Sequence, residues 1–373
     1  MFWQAHAAWL WALPPVLIWF GLLFLPWLPW RVREHLEPAP PAAEPVRLDQ
    51  LTVLIPARNE ADVIGQTLAG LQAQGQGLRV VVIDDQSTDG TAEVALGFAG
   101  VKVIPGQPLP KGWAGKLWAL EQGRGEVHTA WTLLLDADIV LQPGMLAALL
   151  ARQREQGVQF VSLMADLRRT SVWDRLLLPT FVYYFKLLYP FALANGRWRW
   201  AAAAAGGCIL VETAALRKVG AFESLRDALI DDCTLARQIK RAGLRTWTGL
   251  SRGVISLRPY GTLGSVHDMV ARSAFTQLGY STLLLLLVSL IFAASYWLPL
   301  VLLALPGTRD LAIAALLAMW VSYLPTLRYY RMAPWWGLAL PISASLYLAM
   351  TWSSAIRYWR GTRSLWKGRS YEA

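Results

Sequence analysis

The sequence predicts an α/β fold, a doubly wound and mostly parallel sheet flanked by transmembrane helices at both ends of the chain. Three observations carry this expectation. Short β-branched runs alternate with helical spacing between residues 51 and 135. One of them, Val80-Val81-Val82-Ile83, is continuous rather than alternating, and charge-free apolar segments stand at 7–30 and after Ser273. Strands alternating with helices give parallel crossovers, and a continuous apolar strand is buried on both faces. Apolar runs of about 20 residues match the thickness of a bilayer. With 373 residues, 55% of them hydrophobic, the chain has room for one domain and several spans.

Taken in order, residues 7–30 carry no charge and read as a first transmembrane helix. A signal peptide fits less well, because no basic segment precedes the run and the run exceeds the usual apolar length. Arg31 and Arg33 follow it, which places the next segment in the cytoplasm by the positive-inside rule. Residues 31–50 form a linker whose Pro/Ala stretch, 38–45, cannot propagate a helix. From there the period changes. Leu51–Pro56 reads as a strand, and Ala61–Gln74 as a helix with Val63, Ile64, Leu68 and Leu71 on one face. Arg79–Ile83, Val101–Ile104 and Trp131–Leu135 read as strands, and Thr91–Phe98 and Gly115–Gln122 as helices. The domain is expected to span 51–260.

Within it, Trp173 to Trp200 is rich in aromatic and basic residues, a mixture suited to a bilayer interface. Residues 261–279 are juxtamembrane. Three apolar runs, near 280–304, 311–327 and 333–356, make up a membrane region of residues 280–356, and 357–373 is a basic tail. The tail creates a conflict. Three crossings after a cytoplasmic domain leave the C-terminus outside, yet five basic residues and one acid follow Ile356. Either one apolar run is re-entrant or the tail breaks the rule, and the sequence leaves both open.

The net charge of +10 comes in short basic groups beside apolar segments. That pattern suits a membrane surface, and without zinc-finger spacing or a recognition helix no nucleic-acid partner is expected. The two cysteines, Cys208 and Cys233, form no C-x-x-C pair, which argues against a disulfide framework or zinc site and for reduced thiols in a cytosolic domain.

Four charged motifs punctuate the domain. The second strand runs into Asp84-Asp85-Gln86-Ser87-Thr88-Asp89-Gly90-Thr91. Turn and capping chemistry accounts for Asp89 or Thr91, but two adjacent carboxylates at a strand end leave one facing a cleft. Asp136-Ala137-Asp138 follows the fourth strand. On an extended backbone, carboxylates at i and i+2 point the same way, a set suited to Mg2+ or Mn2+ with phosphate oxygens. Asp231-Asp232 begins a helix, where capping explains one carboxylate and leaves the other as a general base. Lys116 opens a helix after a glycine turn, a place to meet phosphate.

The order Pro56-x-x-Asn59-Glu60, Asp84-Asp85-x-Ser87-x-Asp89-Gly90-Thr91, Gly115-Lys116-x-x-Ala119-Leu120, Asp136-x-Asp138, Gly206-Gly207 and Asp231-Asp232-x-x-Leu235 resembles the family-2 inverting glycosyltransferases of the GT-A fold, over residues 51 to about 245. The stretch Pro108-Leu109-Pro110-Lys111-Gly112-Trp113-Ala114-Gly115-Lys116, with the flanking spans, looks like the lipid-directed branch, which includes carotenoid and ceramide glycosyltransferases. The glycosyltransferases associated with bacterial hopanoid biosynthesis are nearest in overall look.

Carried over residue by residue, the resemblance implies these roles. Pro56 and Glu60 border the nucleotide, Asp85 contacts uracil or ribose, and Lys116 faces the diphosphate. Asp136 lies near the ribose and Asp138 holds a divalent metal, Mg2+ or Mn2+. Gly206 and Gly207 let backbone approach the sugar and acceptor, and Asp232 is the base. Asp231 stands where the family has Glu, one methylene longer, which leaves its role less secure. Processive members carry Q-x-x-R-W near the membrane. Here Gln277-Leu278-Gly279-Tyr280-Ser281 lacks the Arg and Trp, which argues for a single transfer.

The resemblance thus implies an inverting enzyme of the bacterial inner membrane, multi-pass, with its catalytic domain facing the cytoplasm. Its partners would be a nucleotide-sugar donor, a UDP-sugar, and a lipid acceptor such as a hopanoid. A polyprenyl phosphate or another glycolipid is the alternative acceptor. A nucleotidyltransferase would need a Gly-rich basic loop after the first strand, which Pro56-Ala57-Arg58-Asn59-Glu60 is not. A non-catalytic membrane scaffold would have no use for carboxylates at three successive element ends.

Overall fold

The computed structural model describes residues 9–41, 44, 46–226, 228, 230–361, 365–366 and 369–370. The start of the expected 7–30 span, three linker positions and eight of the 17 residues of the 357–373 tail lie outside these. The chain forms two compact units. One gathers 34–168 and 193–259, and the other the N-terminal segment to Arg33 with 169–192 and 260–362.

The first unit is built on eight strands: β1 Leu51–Ala57, β2 Arg79–Asp84, β3 Val101–Pro105, β4 Trp131–Leu135, β5 Ile139–Leu141, β6 Phe160–Leu167, β7 Cys208–Glu212 and β8 Thr246–Ser256. Their order is β3-β2-β1-β4-β7-β6-β8-β5. The β-branched and leucine-rich runs at the centre are buried on both faces, and the period of two divides them. Val53, Ile55, Val82, Leu133 and Leu135 pack with helices Ala61–Gln72 and Met145–Gln156. Leu54, Val81, Ile83 and Leu134 pack on the other side with helices Gly115–Gly123 and Asp231–Arg241.

The expectation of a mostly parallel sheet holds for β3, β2, β1, β4, β6 and β8, while two strands run the other way. β3, β2, β1 and β4 run parallel, but β7 is antiparallel to both β4 and β6, and β5 is antiparallel to β8. It is a mixed sheet, and the antiparallel pairs have a consequence for the site. Leu135 pairs with Cys208, so the residues just before β7 arrive beside those just after β4. Ile139 pairs with Ser256, so the residues after β8 arrive beside Asp138.

The second unit contains helices Val172–Leu188, Arg309–Tyr329 and Leu340–Trp359 with an apolar helical stretch Thr282–Leu302. Among the described residues, three segments are long and apolar enough to cross a membrane: Thr282–Leu302, Arg309–Tyr329 and Pro334–Trp359. At the N-terminal end the described helical segment, Trp9–Phe24, is shorter, so a span at both ends is not matched among the described residues. Its helix ends at Phe24 because Leu25, at φ −54° and ψ 132°, precedes Pro26, and a residue before proline is pushed out of the helical region.

The aromatic stretch 173–200 divides between the units. Its helical part lies among the apolar helices, with Tyr183 bonded to Ser322 at 2.8 Å and Thr180 to Tyr323 at 2.9 Å. Hydroxyl pairs of this kind satisfy polar groups where water is absent. Trp198 and Trp200 belong to the sheet unit and are exposed.

Candidate active site

The carboxyl ends of β1, β2 and β4 converge. The first two motifs are laced together by side-chain bonds. The Asn59 N–H donates to Ser87 Oγ at 3.0 Å, and the Thr88 N–H donates to Asn59 Oδ1 at 2.9 Å. The Glu60 N–H donates to Thr91 Oγ1 at 2.9 Å, and the Ala61 N–H to Asp89 Oδ2 at 3.0 Å. Asn59 adopts φ +50°, a left-handed conformation that asparagine tolerates better than most residues. Asp89 also accepts from the Thr91 N–H and hydroxyl. The turn and capping chemistry in this motif thus falls to Asp89, and the carboxylate that turns inward is Asp85.

Asp85 is fully buried, with Arg58 Nη1 3.9 Å from its Oδ2, and the same guanidinium donates to the Asp85 carbonyl at 2.5 Å. Pro56 lies opposite Ile83 in the adjacent strand, one position before the pair Ala57 and Asp84. Gly106 closes this edge: a Cβ there would sit 2.7 Å from the Asp84 carbonyl oxygen.

The second group lies across β4. Lys116, in the first turn of Gly115–Gly123, reaches Asp136 Oδ1 at 2.6 Å and donates to the Gly206 carbonyl at 3.3 Å. The Asp136 N–H donates to the Gly207 carbonyl at 3.1 Å. A Cβ on Gly206 would sit 3.4 Å from both Lys116 Nζ and Asp232 Oδ2, and one on Gly207 would sit 3.9 Å from Asp136 Oδ2. Bare backbone therefore faces a cation and a carboxylate at Gly206 and a second carboxylate at Gly207. A small cleft results, walled by Lys116, Gly206, Asp231 and Asp232 with Leu134 and Phe222 beneath.

Asp231 and Asp232 occupy the first turn of Asp231–Arg241, and Asp232 Oδ1 accepts from the Cys233 N–H at 2.6 Å. Burial pushes the Asp232 carboxyl up to about 7; the neighbouring Asp231 charge adds to the rise, while the Cys233 N–H and Lys116 oppose it. Burial alone would lower Lys116, but Asp136, Asp231 and Asp232 together hold it above the usual lysine value.

Asp138 stands apart from Asp136 in its contacts. The stretch between β4 and β5 is a turn, closed by the Ile139 N–H donating to the Asp136 carbonyl at 3.1 Å. The backbone is not extended there, and the rule that i and i+2 share a face does not apply. Asp136 meets Lys116, whereas Asp138 Oδ2 accepts from Ser256 Oγ at 3.1 Å and has Arg258 Nε at 3.5 Å.

The strap carrying Gly206-Gly207 is held from below. Lys240, on the helix that starts with Asp231 and Asp232, is buried and donates to the carbonyls of Ala194, Gly196 and Ala201 at 2.5, 3.0 and 2.7 Å. Thr248 Oγ1 donates to the Ala203 carbonyl at 2.6 Å, and the Ala205 N–H donates to Ser162 Oγ at 2.8 Å. Ala201 to Ala204 are buried, so the alanine run is a strap pressed against the sheet.

Of the residues singled out by sequence, the structure gathers Lys116, Asp136, Gly206, Gly207, Asp231 and Asp232 around one cleft, and Pro56, Glu60 and Asp85 at the ends of β1 and β2. Arg58, Gly106, Lys240, Ser256 and Arg258 escaped sequence reasoning. Arg58 lies inside a quoted motif and could have been read as the partner of a buried Asp. The others meet partners far along the chain and leave no local signal.

The family model described as glycosyltransferase like family 2 matches residues 49–265, more than half of the chain. A 4,4'-diaponeurosporenoate glycosyltransferase of Staphylococcus aureus (strain USA300) is 37% identical over 89 residues, 24% of this chain and 24% of that protein. The protein of the same name from strain MRSA252 is 35% identical over 108 residues, 29% of each chain. The match thus spans about a quarter of the length of these curated relatives. Among solved structures, mannosyltransferase PcManGT from Pyrobaculum calidifontis, in complex with GDP-Man and Mn2+, is 20% identical. The alignment covers 96% of this chain and 99% of that one with a TM-score of 0.55, which shows a shared fold. With the family model running across every motif that builds the cleft, the chain belongs to the family-2-like glycosyltransferases.

Proposed function

We propose that the protein moves one sugar from a nucleotide-sugar, a UDP-sugar, to a hydroxyl of a lipid acceptor with inversion at the anomeric carbon. The observation that carries this reading is the placement of Lys116 Nζ and Asp232 Oδ2 around the same bare face of Gly206, each 3.4 Å from where a Cβ would stand. A base and a cation so placed suit an in-line displacement. Asp232 takes the proton of the acceptor hydroxyl as its oxygen attacks the anomeric carbon, and the bond to the diphosphate breaks. Lys116 meets the charge that develops on the leaving group. A base titrating near neutral pH is matched to that task. Asp136 orients Lys116, and Asp231 sits beside the base and raises its affinity for the proton.

Pro56, Glu60 and Asp85 would line the nucleotide, and Gly206 and Gly207 would let sugar and acceptor approach backbone. A divalent metal, Mg2+ or Mn2+, fits as an ion completed by the diphosphate: among the described residues no three His, Cys, Asp or Glu side chains cluster, but Asp138 offers a hard oxygen donor. When bound, such an ion would neutralise charge on the leaving diphosphate. The structural relative's own ligands, GDP-Man and Mn2+, support a nucleotide-sugar with a divalent metal.

The acceptor is read as a lipid because three apolar helices accompany the domain and because the relatives named above glycosylate diaponeurosporenoate, a lipid-like molecule. A hopanoid is the acceptor we favour. We place the protein in the bacterial inner membrane as a multi-pass protein with residues 51–260 on the cytoplasmic side. The test is a donor screen. Membranes containing the full chain are given UDP-sugars and Mn2+, and the extracted lipids are weighed by mass spectrometry. A lipid heavier by one sugar is expected. No new lipid with any donor would contradict the acceptor reading, and a ladder of added sugars would contradict single transfer.

A further inference from the structure

Helix Leu340–Trp359 carries an open groove of about 650 Å3 lined by Leu348, Trp352, Ile356, Arg357 and Arg360 among others. The three apolar residues recur every four positions and so share one face. The arginines stand together at its C-terminal end. From Leu348 to Arg360 the helix rises on the order of 18 Å, close to one leaflet of a hydrocarbon core about 30 Å thick. Arg357 Nη2 is bonded to Asp268 Oδ1 at 2.8 Å, with His267 between Ser353 and Asp268. Arg360 is exposed and has no ion-pair partner among the described residues. The groove therefore pairs an apolar trough with an uncompensated cation.

Which membrane face holds these arginines follows from contacts within the same unit. Tyr280 stacks on Tyr358 with ring centroids 4.4 Å apart, and Phe275 meets Tyr358 at 5.5 Å. Leu285 packs with Ala355, Trp352 Nε1 donates to Ser289 Oγ at 3.0 Å, and Trp297 Nε1 donates to Ser345 Oγ at 2.8 Å. Thr282–Leu302 and Leu340–Trp359 thus run antiparallel, the start of one beside the end of the other. Three complete crossings between Tyr280 and Tyr358 would leave these rings on opposite faces, about 30 Å apart. Rings in contact require an even number of crossings. Arg357 and Arg360 therefore share a face with the segment that precedes Tyr280, and of the two alternatives left open by the charge pattern, an incomplete crossing is the one that fits. The basic end then obeys the positive-inside rule, at the leaflet where anionic lipids concentrate.

We propose that this groove seats an anionic phospholipid of that leaflet, one acyl chain lying along Leu348, Trp352 and Ile356 and the phosphate resting on Arg360 with Arg357 beside it. The proposal rests on the membrane placement given above and is independent of the transfer chemistry.

The test uses the full chain purified in mild detergent, offered phosphatidylglycerol and phosphatidylcholine in equal amounts, with retained lipid read by native mass spectrometry. The wild type should retain phosphatidylglycerol over phosphatidylcholine by about fivefold or more, the effect of roughly one basic side chain at the surface. Arg360→Glu should abolish that preference and Arg360→Lys should restore it. Equal preference in the wild type and Arg360→Glu would overturn the seat while leaving the membrane placement standing. Retention of neither lipid by the wild type would overturn the placement itself. Arg360 is exposed at the helix end, and matching melting curves for the three proteins would show that the fold is unaffected.

Discussion

A carboxylate serves as a base only in the pH range where it is ionised, and at Asp232 that range is set by its surroundings. Burial and the adjacent Asp231 raise its titration to about 7. Because the proton-accepting form lies above that value, kcat/KM should fall as pH drops through about 7, with a single acidic limb. Asp231→Asn removes the neighbouring negative charge, so the limb should move to lower pH while turnover at pH 8 changes less. A pH–rate profile checks this, and a limb that stays in place would remove Asp231 from the account. The carboxylates were legible in the sequence because a charged residue directly after a buried strand is costly without a purpose. The partners of Asp138 were not. Ser256 and Arg258 reach it only because β8 pairs with β5, about 120 residues away in the chain, and no local pattern records such a pairing.

The strands and helices up to Leu135 were read to within one or two residues, since each is short, strongly apolar and bounded by turn residues. The antiparallel strand β7 was not read. Its sequence, Cys208–Glu212, is an ordinary apolar run, and direction in a sheet is decided by where the preceding chain returns. The alanine strap before it was likewise opaque, because small residues announce close packing without saying against what. The structure answers with Lys240, whose ammonium holds three carbonyls of the strap. Replacing it removes a donor that those buried carbonyls need, at about 1–3 kcal/mol for a group left unsatisfied. Lys240→Met should therefore destabilise the protein by about 3 kcal/mol and lower transfer by loosening Gly206. A melting curve with a Tm lowered by several degrees is the expected readout, and an unchanged Tm would show that the strap is held by its other bonds alone.

Across the whole molecule, the sequence left the crossings of its apolar segments undecided, because apolar length and charge counts constrain each helix separately. With the membrane placement proposed above, the contact of Tyr280 with Tyr358 gives an even number of crossings between them. Reporter fusions should follow it. A cytoplasmic reporter after Gly361 and one in the 31–50 linker should both be active, and a periplasmic reporter at either place should be silent. A periplasmic signal after Gly361 would mean that the region crosses an odd number of times.

The central claim is that Asp232 is the base of a glycosyl transfer whose donor is held by other segments. It is tested most directly by Asp232→Asn, measured for single-turnover transfer and for UDP binding in parallel. The carboxamide keeps the size and the bond from the Cys233 N–H but takes no proton near neutral pH. The predicted result is transfer slowed by about 10²–10⁴-fold with UDP affinity little changed, since Asp85, Lys116 and Asp138 remain. Near-normal transfer by Asp232→Asn, whatever its affinity for UDP, would contradict the account.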